Sequence, residues 1–90
     1  MTATERIWTG KQLRALREAA GLSQSELARR VSKCPGMGKF RPWRVGTHEG
    51  TANRAPSVPS MACGAAYATV LGCKMDDLME DVPATSPSSD

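Results

Sequence analysis

The chain has 90 residues, a length that suits one domain with a small core rather than two domains. With one Phe, one Tyr and two Trp, that core must be built mainly from Leu, Val, Ala and Met side chains. No stretch is long and apolar enough to span a membrane, and the N-terminal segment lacks the apolar centre of a secretory signal. A cytoplasmic protein is therefore expected, with Cys34, Cys63 and Cys73 as free thiols.

The net charge of +3 conceals an uneven distribution along the chain. Residues 1–74 hold all 12 Lys and Arg side chains against four Glu, whereas residues 75–90 hold five acids and no base. Seven of the basic residues fall between Arg29 and Arg54, where Glu49 is the one acid. A basic segment of this kind suits a polyanion, because neutralised phosphates supply most of the non-specific affinity for nucleic acid. A solvated basic loop explains the same charge equally well.

Residues 1–8 are predicted to be an N-terminal leader. Either Ile7 or Trp8 can pack on Leu13 as a hydrophobic staple at the start of the first helix. An alternative is an arm that contacts DNA or a second subunit, for which Arg6 supplies the only base.

Two capping signals predict two helix starts, Thr9 with Gln12 and Ser23 with Glu26. In such a capping box the hydroxyl accepts from the N3 amide while the N3 side chain reaches back to the cap. Gly21 follows the first helix, where a left-handed residue closes a helix at little steric cost.

The apolar residues between these signals recur at spacings of three and four, so each helix carries one apolar stripe. The stripes consist of Leu13, Leu16 and Ala20 in the first helix and of Leu27, Ala28 and Val31 in the second. Helix 1 is therefore predicted at about 10–20 and helix 2 at about 24–32. Two short helices cannot bury both stripes alone, so a third element is needed.

A loop is predicted at 33–40, because Pro35, Gly36 and Gly38 forbid a continuous helix. Helix 3 is expected to begin near Pro42, whose missing amide would be unpaired in a first helical turn anyway.

Val45 is expected to face the interior of helix 3, together with either Trp43 or His48. Gly46 weakens the helix by about 1 kcal/mol relative to Ala. That cost indicates a close approach, either to helix 2 or to the backbone of bound DNA.

A Pro/Gly/Asn-rich connector, Gly50–Pro59, separates helix 3 from helix 4. Ser60 is a good N-cap for helix 4 at about 61–71, and Gly72 is expected to close it. Its predicted buried face consists of Met61, Ala65, Ala68 and Leu71, with Cys63 as a small buried side chain.

A short fifth helix is predicted at Met75–Glu80. Its Leu78 and Met79 can either cover the core or form a dimer patch. Residues 81–90 are predicted to be a disordered tail on composition.

Metal binding and catalysis have little support in the sequence. His48 and the three cysteines lie 14, 15 and 10 residues apart, whereas zinc ligands come in close pairs. One His, with no nucleophile motif and no glycine-rich phosphate loop, leaves no catalytic constellation. Neither an enzyme nor a cofactor is expected.

The run LRALREAAGLSQSELARRVS resembles the first two helices of the phage-repressor type of helix-turn-helix, the family of lambda repressor and Cro. The similarity covers roughly residues 9–80 and continues in Val45, Glu49 and Gly50, in Pro59-Ser60 and in Leu71-Gly72. It implies an all-α bundle of about five short helices, with a domain at 9–80 between the leader and the tail. The family has a turn of about three residues between helices 2 and 3, so the turn is lengthened in this chain.

The resemblance also implies the residues that contact DNA. Gln24 takes the position that hydrogen-bonds a phosphate and supports the recognition helix, next to the cap residue Ser23. Base and phosphate contacts fall to Arg41, Trp43, Arg44 and Thr47, and loop bases at Lys33, Lys39 and Arg54 can reach phosphates. Arg pairs well with guanine, and Thr offers either a hydroxyl or a methyl group to thymine.

The expected function is that of a sequence-specific transcriptional regulator, a phage immunity repressor or Cro-like protein that occupies a DNA operator through the major groove. A bacterial or phage-infected cytoplasm is the implied location. A homodimer on a palindrome is usual for this fold, and a monomer on an asymmetric site is the alternative. No small-molecule ligand is expected. An antitoxin or adaptor with a protein partner and an architectural, excision-type DNA-bending protein are the alternative functions.

Overall fold

The computed structural model of the chain describes residues 4–51 and 53–83. These residues form four α-helices and a two-stranded sheet, so the fold is mostly helical without being purely α. In chain order the elements are β1 (Thr4–Ile7), α1 (Lys11–Ala19), α2 (Gln24–Ser32), α3 (Pro42–Glu49), α4 (Met61–Leu71), a 3-10 helix (Met75–Leu78) and β2 (Glu80–Pro83).

The turn between α1 and α2 has part of the predicted chemistry: Ser23 caps α2, but the Glu26 carboxylate bonds to Arg29 and does not complete the capping box. The Ser23 hydroxyl accepts a hydrogen bond from the Glu26 amide at 3.0 Å, which caps the first turn of α2. Gly21 has a φ of 72°, where a side chain would be strained, and the next residue, Leu22, is buried in the core. The stretch between the two helices is therefore short and tightly specified.

The cap predicted at Thr9 is wrong. Gly10 is the N-cap of α1 with a φ of 79°, and the Thr9 hydroxyl is hydrogen-bonded to Glu80 and accepts from the Lys11 amide at 3.3 Å rather than from Gln12. The reason is the close approach of α3. A Cβ on Gly10 would lie 2.8 Å from the His48 carbonyl oxygen and closer still to that of Glu49. Packing between the start of α1 and the end of α3 therefore decides the cap.

The two chain ends meet in the sheet. Strand β1 pairs antiparallel with β2, from Thr4 opposite Pro83 to Ile7 opposite Glu80. Arg6 joins this pairing, because its guanidinium lies 2.9 Å from a carboxylate oxygen of Asp76 and 2.9 Å from one of Asp81.

The sheet corrects several expectations from the sequence. Residues 4–7, assigned to the leader, and 81–83, assigned to the disordered tail, form strands instead. The helix predicted at Met75–Glu80 is a 3-10 helix that ends at Leu78. Strands of four residues are too short to show a hydrophobic period in the sequence. The two strands also come from opposite ends of the chain. The rest of the predicted tail, 84–90, lies outside the described residues.

The core combines aliphatic side chains of every helix with a group of aromatic ones. Of the two candidates for the staple, Trp8 is buried and Ile7 is 38% exposed. Trp8, Phe40 and Tyr67 lie around the His48 ring with centroid separations of 5.6 to 6.5 Å. Leu78 is fully buried and so belongs to the core rather than to a surface patch. The other buried core residues are Leu13, Leu22, Leu27, Ala28, Val31, Val45, Cys63, Ala66 and Ala68.

The buried face predicted for α4 is wrong in part. Ser60 caps the helix and Gly72 closes it, as predicted, and Cys63 is buried. However, Met61 is 80% exposed and Ala65 is exposed as well, and the helix turns Tyr67 inward with Gly64 and Ala66. The helix is almost uniformly apolar, so hydrophobic periodicity could not identify a face. None of the helices in the described ranges has the length and apolar character needed to cross a membrane.

Gly10→Ala is expected to destabilise the fold more than Gly36→Ala, measured by urea unfolding. Gly36 has a similar φ of 82° with no atom near its Cβ position, so its replacement costs only the backbone strain of about 1–2 kcal/mol. Gly10→Ala carries the same strain and also the clash with the end of α3, which adds about 1–3 kcal/mol. Equal losses in the two variants would contradict the close packing of α1 on α3.

Candidate nucleic-acid interface

Helix α3 begins and buries its residues as the sequence predicts. Pro42 occupies the first turn, and Val45 is fully buried. Of the two candidates for a second inward anchor, His48 is buried and Trp43 is 65% exposed. Gly46 faces α2, because a Cβ there would lie 3.5 Å from the Gln24 side chain. This is an ordinary van der Waals distance, so α2 does not require a glycine here, and an approach to the backbone of bound DNA stays a prediction.

The buried end of α3 is held by an ion pair that joins three helices. Arg17 of α1 donates from Nε to a Glu49 carboxylate oxygen at 2.6 Å and from Nη2 to the other at 3.2 Å. The same carboxylate accepts from Gln24 Nε2 at 3.1 Å, at the start of α2. Glu49 raises the pKa of Arg17 through this hydrogen bond and charge. The third Arg17 contact, from Nη1 to the Leu22 carbonyl, measures 2.8 Å.

The pairing of Arg17 with Glu49 was not predicted, although both residues belong to the resemblance. The available signal was the isolation of Glu49 as the one acid within a strongly basic segment. A carboxylate in such a position suits a buried partner for a cation.

His48 connects α3 to the aromatic core. Its Nδ1 lies 2.6 Å from the Tyr67 hydroxyl, and its backbone carbonyl accepts from Trp8 Nε1 at 2.7 Å. Burial, with a smaller effect of the Arg44 charge, lowers the pKa of His48. No group of three or more His, Cys, Asp or Glu side chains in the described part of the chain is arranged to hold a metal ion.

The loop after α2 is closed at its base. The Ser32 hydroxyl donates to the Ala28 carbonyl at 2.9 Å and accepts from the Phe40 amide at 2.8 Å. Phe40 is buried at the end of the loop, and Cys34 and Met37 pack partly against the core, whereas the other residues of 33–39 are exposed.

The outer face of α3 carries four of the residues that the sequence places at the interface. Arg41, Trp43 and Arg44 are exposed, and Thr47 is half-buried. The Arg44 guanidinium lies over the Phe40 ring at 4.8 Å from its centroid, a cation–π contact that keeps the charge at the surface. The Thr47 hydroxyl donates to the Trp43 carbonyl at 2.9 Å.

The remaining predicted residues lie at the edges of this face. Ser23 and Gln24 form the start of α2 against α3, whereas Lys33 and Lys39 are exposed on the loop. Arg54 is exposed on the segment after α3, which is tied to that helix by a 3.0 Å hydrogen bond from the Ser57 amide to the Thr47 carbonyl.

Among the described residues, most cations of this region have no carboxylate partner. Arg29 and Arg30 of α2 lie close to Glu26. Within 4–51 and 53–83, by contrast, none of the cations on or beside α3 is ion-paired with a carboxylate; these are Lys33, Lys39, Arg41, Arg44 and Arg54.

Two basic residues near the C-terminal end of α3 were not assigned a role from the sequence. Lys11 and Arg14 of α1 line a polar hollow of about 330 Å³ together with Thr51 at the end of α3. The contact between the start of α1 and Glu49 places them there, and helix periodicity alone does not show it.

A second surface feature is an apolar groove of about 200 Å³ between the start of α4 and the 3-10 helix. Met61 and Val58 on its rim are 80% and 73% exposed. Met79 also lines it, whereas Leu78 is buried and unavailable to a partner.

Comparison with known proteins does not identify the chain: no family model, curated protein or solved structure matches it. The resemblance over residues 9–80 rests on the residues quoted for it, and the helix-turn-helix assignment stays a prediction. The geometry of α3 and its neighbours is the basis for a functional proposal.

Glu49→Leu is expected to lower the free energy of unfolding by about 3–5 kcal/mol, because it leaves the buried Arg17 cation without its partner. The double variant Arg17→Met/Glu49→Leu removes both charges and is expected to be more stable than Glu49→Leu. Urea unfolding measures both. Arg14→Met is the control, since it breaks an exposed pair with Glu18 and is expected to change stability by about 0.5 kcal/mol or less. A double variant less stable than Glu49→Leu would contradict this account.

Stability is expected to fall as the pH drops below the ordinary His48 pKa of 6.5. The folded state lowers the pKa of His48, so it favours the neutral ring, and the unfolded chain binds the proton more readily. Unfolding free energies measured at about pH 8 and about pH 5 are therefore expected to differ more in the wild type than in His48→Gln. Carboxylates contribute equally to both proteins. The same pH-dependent loss in both would contradict a buried, neutral His48.

Proposed function

We propose that this protein binds double-stranded DNA through the outer face of α3 and regulates transcription as a repressor. The observation that carries the proposal is a set of cations on and beside α3 that have no carboxylate partner among the described residues. The inner face of the same helix is held in place by the buried contacts of Glu49 and His48. A surface that keeps its cations unpaired favours phosphate neutralisation, which supplies the bulk of non-specific DNA affinity.

In this proposal α2 and α3 are the two helices of a helix-turn-helix, and α3 enters the major groove. The N-terminus of α2 contacts a phosphate, because its first amides and the positive end of its dipole suit an anion. Gln24 supports this arrangement. Its amide group has two donor hydrogens, one of which Glu49 accepts, which leaves the other for a phosphate oxygen.

Loop residues extend the contact along the DNA backbone. Lys33 and Lys39 are exposed on the loop that Ser32 closes, and Arg54 is exposed beyond the other end of α3. Contacts of this kind position a protein on the duplex without reading its sequence. The side chains of α3 then read base edges.

The biological role that fits is occupancy of an operator, with exclusion of polymerase from the promoter, in a bacterial or phage-infected cytoplasm. A homodimer would place two α3 helices about one helical turn of DNA apart. A monomer on an asymmetric site is the alternative assembly. No cofactor or small-molecule ligand enters this mechanism.

The apolar groove beside the 3-10 helix favours one other candidate, an adaptor or antitoxin whose main partner is a protein. Met61 and Val58 are exposed side by side on this groove, and a contiguous exposed apolar patch suits a protein partner. An architectural protein that bends DNA without sequence preference would use the same basic face. Binding measurements separate these functions.

The test is a fluorescence anisotropy titration of the full chain with the DNA that flanks its own gene and with an unrelated duplex, between about 50 and 200 mM salt. Tight binding to the flanking DNA alone is the expected result. Equal affinity for both duplexes would favour the architectural function, and no binding to either would favour a protein partner.

Lys39→Ala is expected to weaken binding to every duplex alike and to lower the slope of log affinity against log salt by about one. The control is Lys74→Ala, which removes the same charge from the residue before the 3-10 helix, a segment rich in acids. It is expected to leave the slope nearly unchanged. Equal effects of the two variants would mean that net charge, rather than this face, determines the affinity.

A further inference from the structure

The centre of the outer face of α3 is apolar rather than charged. Trp43 and Thr47 lie two residues before and two residues after the fully buried Val45. At about 100° per residue, both therefore lie on the side of the helix opposite its buried stripe. They are four residues apart, so their side chains are neighbours on one face.

Thr47 has its hydroxyl occupied. The hydroxyl donates to the Trp43 carbonyl within the same helix, at 2.9 Å. Threonine commonly satisfies its hydroxyl in this way inside helices. The hydroxyl then has no hydrogen to donate to a ligand, although its oxygen can still accept one. The γ-methyl group is the apolar part of this half-buried side chain, and the helical spacing places it next to an indole that is 65% exposed.

The arginines lie to the side of this apolar strip. Arg44 directly precedes Val45, which places it about a quarter-turn from the buried stripe, and the Phe40 ring holds its guanidinium there. Arg41 is the residue before the helix, at its N-cap. On the opposite side, Gly46 faces Gln24.

We infer that the strip formed by Trp43 and the Thr47 methyl group reads the C5-methyl group of thymine. This inference rests on the proposed function and names what α3 selects there. Thymine is the one standard base that presents a methyl group in the major groove, where it accepts apolar contacts. Cations at the edges of the strip suit the phosphates on either side of the groove.

The experiment replaces thymine by uracil, which removes the methyl group and keeps the base pair. A preferred duplex is first selected by the full chain from a random pool, and each thymine of that duplex is then replaced singly. At one or two positions, a single replacement by uracil is expected to weaken binding about four-fold. This factor corresponds to the loss of about 0.8 kcal/mol from one buried methyl group.

Thr47→Ser assigns the effect to this residue, because it removes the methyl group and keeps the hydroxyl. At one thymine position this variant is expected to bind the thymine and uracil duplexes equally. Trp43→Ala is expected to lose discrimination at a neighbouring position, and its exposed site makes loss of folding a minor concern. Lys39→Ala is expected to weaken binding to the thymine and uracil duplexes by the same factor, so the ratio of the two affinities stays that of the wild type.

The outcomes separate the inference from the proposed function. A tightly bound selected duplex that tolerates uracil everywhere, or a Thr47→Ser protein that still discriminates as the wild type does, would overturn the thymine inference and leave DNA binding intact. Failure to select any duplex would overturn both.

Discussion

The position of α3 depends on the hydrogen bonds that the buried Glu49 carboxylate accepts from α1 and α2. Burying a carboxylate costs several kcal/mol unless charge and hydrogen bonds compensate. Here its two oxygens accept from two nitrogens of Arg17 and one of Gln24. Those donors belong to α1 and α2, so the charge is satisfied only when all three helices are in place. Apolar contacts alone, such as those of Val45, are not directional, so they restrict the rotation and register of a short helix less than these hydrogen bonds do.

This requirement links the core to the surface. Helix α3 is short, and its inner face is committed to Val45, His48 and Glu49. Its outward residues therefore have directions set by the buried ones. The aromatic group adds a second anchor one residue earlier, through the hydrogen bond of His48 to Tyr67. A face held in this way from behind is pre-organised, which reduces the ordering that binding would otherwise require.

Local chemistry was the predictable part of the fold. The cap at Ser23, the turn at Gly21 and the start of α3 at Pro42 each depend on a few adjacent residues, and the structure confirms them. The cap at Thr9 and the face of α4 failed because distant packing decides them. The sheet could not be predicted either, because β1 is too short to show a hydrophobic period and pairs with a strand at the other end of the chain. At the site, the outward positions of Arg41 and Arg44 were predicted, whereas the choice between Trp43 and His48 was left open and the Glu49 contacts were not predicted.

The long loop between α2 and α3 shows why these buried contacts matter more than the turn. Extra loop residues cost little, because doubling a flexible loop adds only about 0.6 kcal/mol of closure entropy. Ser32 bonds to the backbone of Phe40 and so holds the two ends of the loop together. The length of the loop therefore does not affect the position of α3. Glu49 and His48, whose side chains bond to residues of α1, α2 and α4, then determine where α3 lies. A long connection between α2 and α3 is thus accommodated, and it leaves Lys33 and Lys39 exposed on the loop that precedes α3.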